Sequence, residues 1–277
     1  MIKHLTIGKR NFDLSRSIVM GILNVTPDSF SDGGRFDRVD RAVEHALQMQ
    51  QEGADIIDIG GESTRPGASE VGVSEELDRV IPVIRAIRRQ SDIPVSVDTS
   101  KAEVMRLAVE EGADMINDVN ALRAAGALEA CAGLGVPVCL MHMQGEPRTM
   151  QQDPRYDEVV ADVAGFLEQR SQACIDAGID RERIVIDPGF GFGKTLQHNI
   201  ELLNRLDVIC ALELPVLAGI SRKSMIGSLL DKPVEERLYG SLAAAVIAHG
   251  KGARLFRVHD VGPTRDALAI CDALQHE

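Results

Sequence analysis

Short β-rich segments alternate with longer helical patterns along all 277 residues of the chain. This alternation is typical of parallel strands joined by crossover helices. The predicted strands span residues 18–25, 55–61, 94–99, 115–120, 137–143, 184–189, 215–221 and 254–260. Eight such units close into a (β/α)8 TIM barrel, for which about 250 residues are typical. The sequence therefore predicts an α/β fold of this class in one domain, 1–277.

Three segments that share one plan support the count of strands. They are EGADIIDIG (52–60), EGADMINDV (111–119) and KGARLFRVH (251–259), in which a glycine ends a helix and an apolar strand follows. Residues 1–17 predict a short N-terminal β-hairpin with its turn at Gly8, which would close the N-terminal face of the barrel. Ser100 and Glu103 match an S-x-x-E capping box and predict that a helix starts there.

Charge and cysteine content exclude several classes of function. With 30 Lys and Arg against 42 Asp and Glu, the net charge is −12, which argues against nucleic-acid binding. The five cysteines form no C-x-x-C pair, so we expect reduced, mostly buried thiols. Because no apolar run approaches about 18 residues and the first residues do not resemble a secretory signal, we expect a cytoplasmic protein without membrane contact.

The segment DPGFGFGKT (187–195) ends like a nucleotide-binding P-loop. A P-loop has a glycine five residues before its Gly-Lys, because successive backbone N–H groups must face the phosphates. That position is Pro188, which has no N–H, and the glycines at 189, 191 and 193 do not fit G-x-G-x-x-G either. We therefore interpret Gly-Lys-Thr as coincidence, and the two rings between the glycines need another explanation.

Polar side chains recur at the carboxyl ends of the predicted strands, where (β/α)8 barrels carry their chemistry. In chain order these positions are Asn24, 62–65, Asp98, Asn117, Met141, His142, Asp187, 221–223, Arg257 and His259. Each alone has an ordinary interpretation, as a turn former, a structural imidazole or a solvated helix end. A closed barrel would bring them to one mouth, where carboxylates and an amide suit a donor-rich heterocycle and Arg with His suits phosphate.

Two polar, glycine-rich loops follow the first two predicted strands, at 26–37 and 61–74. Both lie at the catalytic face of the expected barrel and are interpreted as mobile lids.

Five segments of the chain resemble the dihydropteroate synthase family. They are MGILNVTPDSFSDGG (20–34), GGESTRPG (60–67), DPGFGFGK (187–194), GISRKSMIG (219–227) and RVHDV (257–261), and they occur in that family's order. The resemblance implies a transferase that joins 6-hydroxymethyl-7,8-dihydropterin diphosphate to p-aminobenzoate, releasing pyrophosphate and forming 7,8-dihydropteroate for folate biosynthesis. It also implies Mg²⁺ as cofactor, inhibition by sulfonamides, and a homodimer.

The resemblance assigns a role to individual residues. It implies that the pterin is bound by Asp98, Asn117, Met141, Asp187, Lys223 and Arg257, of which Asp187, Lys223 and Arg257 carry catalysis. For the diphosphate it implies Asn24, Thr64, Arg65, Arg257 and His259. For p-aminobenzoate it implies Thr64, Pro66, Phe192 and Ser221, which leaves Phe190 to the core. For the metal it implies Asn24, with Asp28 as a second candidate.

Family chemistry places no general base among these residues, because a pterin methylene cation would be trapped by an arylamine that is already unprotonated. Three alternatives stay open. A methyltetrahydrofolate-dependent methyltransferase barrel would share the pterin-binding acids, and a non-catalytic pterin-binding paralogue would keep the fold. An unrelated phosphosugar barrel would use Lys223 as a Schiff base.

Overall fold

Ten strands are present in the computed structural model, which describes residues 2–26, 35–63, 71–145 and 149–274 and, of 35–37, the backbone only. The strands are β1 (His4–Ile7), β2 (Arg10–Asp13), β3 (Ile18–Asn24), β4 (Ile56–Gly60), β5 (Val95–Asp98), β6 (Met115–Asp118), β7 (Val138–Met141), β8 (Ile184–Asp187), β9 (Leu217–Ala218) and β10 (Leu255–Val258). The last eight correspond to the eight predicted strands, and all eight are shorter at their carboxyl ends than predicted.

These eight strands form one parallel sheet in the order β8-β7-β6-β5-β4-β3-β10-β9. Its two edges meet where a parallel bridge pairs Ile186 of β8 with Val216, just before β9. The prediction of a (β/α)8 barrel is therefore confirmed. β9 has two residues only, so this bridge and the backbone bond from Ile186 N–H to Pro215 O, at 2.9 Å, complete the closure.

Helices follow the barrel strands and lie outside them. They are α1 (Arg35–Gln51), α2 (Val73–Arg88), α3 (Ala102–Glu110), α4 (Ala127–Leu134), α5 (Val159–Asp176), α6 (Leu196–Asn204), α7 (Leu206–Cys210), α8 (Ser224–Leu230), α9 (Leu238–Gly250) and α10 (Val261–Leu274), with 3₁₀ turns at Arg181–Arg183 and Val234–Glu236. In α2, the buried residues Val80, Val83, Ile84 and Ile87 follow helical spacing and face the sheet. None of the described helices is long and apolar enough to cross a membrane.

The N-terminal hairpin closes one end of the barrel, as predicted. β1 pairs antiparallel with β2 through a two-residue turn at Gly8, where φ is +58°. Its apolar residues pack into the barrel interior against side chains from seven of the eight strands. We call this cluster the lower layer, and it comprises Leu5, Ile7, Leu14, Ile18, Met20, Ile56, Met115, Cys139, Val185, Leu217 and Leu255.

Two local predictions need correction. The capping box at Ser100 and Glu103 is wrong, because α3 starts at Ala102 and its N-cap residue, Lys101, makes no capping hydrogen bond with its side chain. The Ser100 hydroxyl donates to Asp118 on β6 instead. A tertiary partner therefore engages the hydroxyl that the motif assigned to the helix N-terminus. Both predicted lids are also shorter than expected, since α1 begins at Arg35 and α2 at Val73. The five cysteines are free and three of them are buried, as expected.

Candidate active site

Two residues beyond the lower layer, toward the carboxyl ends of the barrel strands, polar side chains take the place of apolar ones. Asp58 follows Ile56 on β4, and Asp187 follows Val185 on β8. Because side chains two apart share one face of a strand, these groups also point into the barrel, at its C-terminal end. We call this set the upper layer, and it comprises Asp58, Asp98, Asn117, Met141, Asp187 and Arg257.

The strand register aligns the carboxyl ends of four neighbouring strands. Asn24 pairs with Gly60, Gly60 with Asp98, and Asp98 with Asn117 across four neighbouring strands. Since Gly60 has no side chain, the Asn24 amide oxygen and the Asp98 side chain both lie within 4 Å of the position its Cβ would occupy. Asn24 therefore faces the same opening as the pterin-binding candidates.

Arg257 is held between two carboxylates on the floor of the site. Its Nε donates to Asp58 Oδ2 at 2.6 Å and its Nη2 to Asp98 Oδ2 at 2.8 Å, while Asn117 Nδ2 donates to the same Asp58 oxygen at 3.2 Å. Asp58 is fully buried, and within the described part of the chain its Oδ1 has no hydrogen-bond partner. This network fixes the guanidinium plane.

Burial opposes the charges of this network. It raises the pKa of Asp98 well above its usual range, although Arg257 acts in the opposite direction. It also raises the pKa of Asp187, against a hydrogen bond of 2.7 Å from Gly189 N–H to Oδ1 and the charge of Lys223. Burial lowers the pKa of Lys223 to about 8, and Arg257 adds to that effect. The pocket thus combines ionisable groups whose charges depend on one another.

Lys223 stands beside an apolar wall. Its Nζ lies 4.1 Å from the centre of the Phe192 ring, a cation–π distance. The ring packs with Val119, Met141, Met143 and Met150 in a separate buried cluster. Phe190, by contrast, lies in the main core and is fully buried, which confirms the prediction for that ring.

Glycines give the 187–195 segment its shape. Gly189 and Gly193 have φ of +68° and +60°, and a Cβ there would lie 1.9 Å from His142 O and 2.4 Å from Gln144 O, respectively. Only glycine fits such close approaches. A phosphate-binding P-loop is excluded, because the Lys194 ammonium is buried and donates to backbone carbonyls. The Thr195 side chain is also engaged, since it caps α6 by accepting from His198 N–H.

Ser221 and His259 form a pair at the ends of β9 and β10. The Ser221 hydroxyl lies 3.1 Å from His259 Nδ1 and accepts from His259 N–H at 3.2 Å. Burial lowers the pKa of His259 to about 4, helped by Arg257 and Arg222. The imidazole is therefore neutral at pH 7. Arg222 itself is held by Asp260, at 2.9 and 2.5 Å.

The structure thus unites most of the residues that the sequence indicated. Asp98, Asn117, Met141, Asp187, Lys223 and Arg257 surround one opening, with Phe192 beside Lys223. Four of the predicted site residues lie outside the described residues, so their roles stay predictions: Asp28, Thr64, Arg65 and Pro66.

Comparison with known proteins decides the family. Residues 20–259 match the family described as Pterin binding enzyme. The dihydropteroate synthase of Haemophilus influenzae is 56% identical over 269 residues, which cover 97% of this chain and 98% of that protein. The chain belongs to the dihydropteroate synthase family.

Solved structures of family members agree with the fold throughout. The chain superimposes on a Xanthomonas albilineans dihydropteroate synthase with 4-aminobenzoic acid at a TM-score of 0.94 and 54% identity, with both chains covered completely. A structure of the enzyme from the same organism in complex with 7,8-dihydropteroate gives a TM-score of 0.90 at 52% identity, covering 99% of each chain. Membership of this family leaves no room for an unrelated phosphosugar barrel.

Two buried residues of this family member were missed by the sequence reasoning. Asp58 carried a usable signal, because it is the only charged residue within the apolar strand IIDIG, at an inward position. Lys194 carried none, since its segment suggested a P-loop and its acceptors come from elsewhere in the chain.

Glu62, at the end of β4, has a structural partner. Lys101 Nζ donates to Glu62 and, at 2.6 Å, to buried Glu76. The other Glu62 oxygen accepts from Val71 N–H at 3.1 Å. Glu62 is therefore engaged beside the opening and does not project into it as a free carboxylate.

Proposed function

We propose that this protein condenses 6-hydroxymethyl-7,8-dihydropterin diphosphate with p-aminobenzoate to give 7,8-dihydropteroate and pyrophosphate in folate biosynthesis. The observation that carries the proposal is the group of buried acids, amide and cations at one barrel mouth, in a chain 56% identical to a dihydropteroate synthase. The bound 4-aminobenzoic acid and 7,8-dihydropteroate of the Xanthomonas structures support the two aromatic substrates.

Asp187 and Lys223 would form hydrogen bonds with opposite sides of the pterin. One oxygen of Asp187 takes the Gly189 N–H, while Oδ2 lies 3.5 Å from where a Gly219 Cβ would be, so glycine leaves room beside it. A pterin presents an amino group and a ring N–H to such a carboxylate, and its carbonyl to the Lys223 ammonium. Arg257 donates its N–H groups, in the plane of the guanidinium, to Asp58 and Asp98. The flat face of the guanidinium would therefore be available to stack on the pterin ring.

The chemistry requires separation of charge more than a strong base. The bond from the pterin methylene carbon to the diphosphate oxygen breaks, and its electron pair leaves with the diphosphate. The amine nitrogen of p-aminobenzoate then forms the new C–N bond and releases a proton. With a pKa of about 4, His259 is a weak base and is neutral at pH 7. It would therefore serve as a hydrogen-bond donor to the leaving group and not as a general base. Buried cations and the limited access of water would favour the ionised transition state.

The residues present fit a magnesium ion that is shared with the substrate. Asn24 offers a neutral amide oxygen at the opening, beside Asp98. Mg²⁺ prefers oxygen ligands and keeps several waters, so one amide with diphosphate oxygens suffices, and Asp28 stays a second candidate. When bound, the ion would neutralise charge on the departing diphosphate.

We also propose that the protein is a homodimer. All eight large apolar side chains that are exposed among the described residues lie between residues 229 and 274, on α8–α10 and the turn between α8 and α9. Tyr239 is 78% exposed and Ile270 65%. Such an uneven distribution is typical of an interface.

Analytical ultracentrifugation tests the homodimer. The double variant Tyr239→Glu/Ile270→Glu should sediment as a monomer, whereas the control variant, Lys9→Glu at an exposed position, should remain a dimer. A wild-type protein that sediments as a monomer would reject the proposal.

Activity is tested by mixing the purified protein with pterin diphosphate, p-aminobenzoate and Mg²⁺. We expect released pyrophosphate and a pteroate product in equal amounts, and competitive inhibition by a sulfonamide against p-aminobenzoate. Pterin binding without turnover would indicate a non-catalytic paralogue. Methyl transfer from methyltetrahydrofolate, in place of condensation, would indicate the related methyltransferase. A cytoplasmic location remains a prediction.

A further inference from the structure

Lys194 is a buried cation that the proposed mechanism does not use. Its side chain is almost completely enclosed, and its Nζ donates to Gly189 O at 2.9 Å and to Phe192 O at 3.1 Å. The Nδ1 of His142 lies 2.9 Å from the same ammonium. Three N–H groups therefore meet three acceptors, which is full satisfaction for an ammonium.

The His142 acceptor is fixed in the required form. Burial lowers the pKa of Lys194 to about 7, against the charge of Asp187, so below that pH the lysine is an ammonium with no lone pair. Nδ1 then accepts from it, and the neutral ring carries its proton on Nε2. Burial lowers the pKa of His142 to about 2, which keeps the ring neutral. The ring also packs edge-on against Phe166, with centroids 4.9 Å apart. The imidazole is thus a rigid support for the lysine.

These contacts tie together two loops at the barrel mouth. His142 follows β7, whereas Gly189 and Phe192 follow β8. The loop after β8 is also held by Asn199, whose Oδ1 accepts from Gly191 N–H, and by the Tyr156 hydroxyl, which donates to Gly193 O, both at 2.7 Å. Of these supports, the Lys194 ammonium is the one bonded to the backbone of Phe192 itself.

The position of Phe192 matters because its ring forms the wall beside Lys223. The ring centre lies 4.1 Å from the Lys223 ammonium and the ring packs on Met141, Met143 and Met150. A shift of the Phe192 carbonyl would move the ring with it. Without Lys194, the Phe192 carbonyl would lose its buried donor, and the Gly189 carbonyl would keep only the Phe192 N–H, at 3.1 Å. The loss at Phe192 is costly unless the loop moves toward water.

We propose that Lys194 is a positioning residue for the p-aminobenzoate pocket, acting through the backbone of Phe192. The proposal rests on the proposed function, in which the Phe192 ring contacts p-aminobenzoate. The lysine in the P-loop-like tail of DPGFGFGKT thus orders an aromatic wall instead of binding phosphate.

The test compares steady-state kinetics of Lys194→Met with wild type. We expect the KM for p-aminobenzoate to rise about tenfold, the scale of a lost charge-assisted hydrogen bond, while kcat changes much less. Thr195→Ala is the matched control, because it removes a neighbouring hydroxyl whose role is to cap α6, where it accepts from His198 N–H. It should lower the melting temperature and leave this KM within twofold of wild type.

A double-mutant cycle with Phe192→Ala separates positioning from a general loss of structure. If Lys194 acts through Phe192, adding Lys194→Met to Phe192→Ala should raise the KM by less than about twofold, so the two effects are not additive. Full additivity would overturn the proposal, as would a folded Lys194→Met enzyme with wild-type KM. If Lys194→Met does not fold, Lys194→Gln decides by the same criteria.

The same series distinguishes this inference from the proposed function. An inactive, folded wild type would defeat the function, and an unchanged KM in Phe192→Ala would remove the role of that ring. The inference alone fails if the wild type is active, Phe192→Ala raises the KM for p-aminobenzoate, and the Lys194 variants behave like Thr195→Ala.

Discussion

The lower and upper layers of the barrel interior are two residues apart on the same strands, yet they differ in chemistry. The lower layer is apolar, and the hairpin residues Leu5 and Ile7 seal it from solvent. The upper layer holds Asp58 and Asp187 at comparable depth, together with the Arg257 side chain, which is 20% exposed. Alternation alone would give both layers the same character. Their difference shows that one scaffold assigns stability to one end of its strands and binding to the other.

The physical costs of the two layers are opposite in sign. Burying apolar side chains stabilises a protein by about 1.5 to 3 kcal/mol each. Burying charged groups costs several kcal/mol per ion unless partners compensate. Arg257 compensates Asp58 and Asp98 directly, whereas Asp187 keeps an oxygen for a ligand. A site that binds a donor-rich ring must retain such unsatisfied capacity.

The largest expected effect separates Asp187 from Val185 on β8. Asp187→Ala should weaken binding of pterin diphosphate at least about 100-fold, because the ligand's donors lose a buried charged acceptor. Val185→Ala, two residues earlier in the lower layer, should leave that affinity within threefold. Titration calorimetry on both variants gives the answer. Near-normal affinity in Asp187→Ala would mean that the upper layer does not bind the pterin.

Ile56 provides the converse test on β4. Ile56→Ala should lower the free energy of unfolding by about 2 to 5 kcal/mol, because it leaves a cavity under the hairpin. Denaturant unfolding measures this loss, and kcat and both KM values should stay within about twofold of wild type. A large kinetic effect without a stability loss would show that the layers are not separate in function.

The pH dependence of pterin binding should follow Lys223. With its pKa lowered to about 8, Lys223 is charged below that pH and loses its proton above it. We therefore expect affinity to fall by up to about tenfold between pH 7 and 9, as a charge-assisted hydrogen bond is lost. Lys223→Arg, which keeps its charge, should bind more weakly with a flatter profile. Wild type and Lys223→Arg bind the same ligand, so any titration of the ligand affects both pH profiles equally. Parallel pH profiles of affinity would contradict the assignment of this titration to Lys223.

The smallest effect belongs to Cys139, directly beneath the upper layer. Burial raises the pKa of its thiol, so it should resist thiol reagents in the folded protein while half-buried Cys210 and Cys271 react faster. Cys139→Ala should cost about 1 to 2 kcal/mol of stability. Kinetic constants should not change, and mass spectrometry of labelled peptides checks the order of reactivity. Fast labelling of Cys139 would show that the lower layer opens.

Much of the site was predictable because barrel geometry converts sequence position into spatial position. Asp98, Asn117 and Arg257 come from three different strands, but each is the last or last but one residue of its strand, so each reaches the same mouth. The resemblance to known motifs then supplied their roles. Asp58 was overlooked because its strand was read for hydrophobicity alone. The roles of residues in 27–34 and 64–70 remain predictions, since they lie outside the described residues.

Local motifs were less reliable than the global pattern. The Ser100 capping box failed because the hydroxyl donates to Asp118, on the next strand, and the helix starts one residue later than the motif predicts. Lys194 looked like a phosphate ligand or a coincidence, and it is a buried donor to two carbonyls and an imidazole. In both cases the deciding partner lies elsewhere in the chain, out of reach of a short motif.

By itself the sequence determined the strands, the closure of the barrel and which residues reach its mouth, because hydrophobic periodicity and glycine positions act locally. Tertiary structure decided the rest: which carboxylate holds Arg257, how burial changes the pKa of Lys223, and where the Lys194 ammonium finds its acceptors. Hydrogen bonds and burial depend on distances between segments remote in the chain, and only the folded barrel sets those distances.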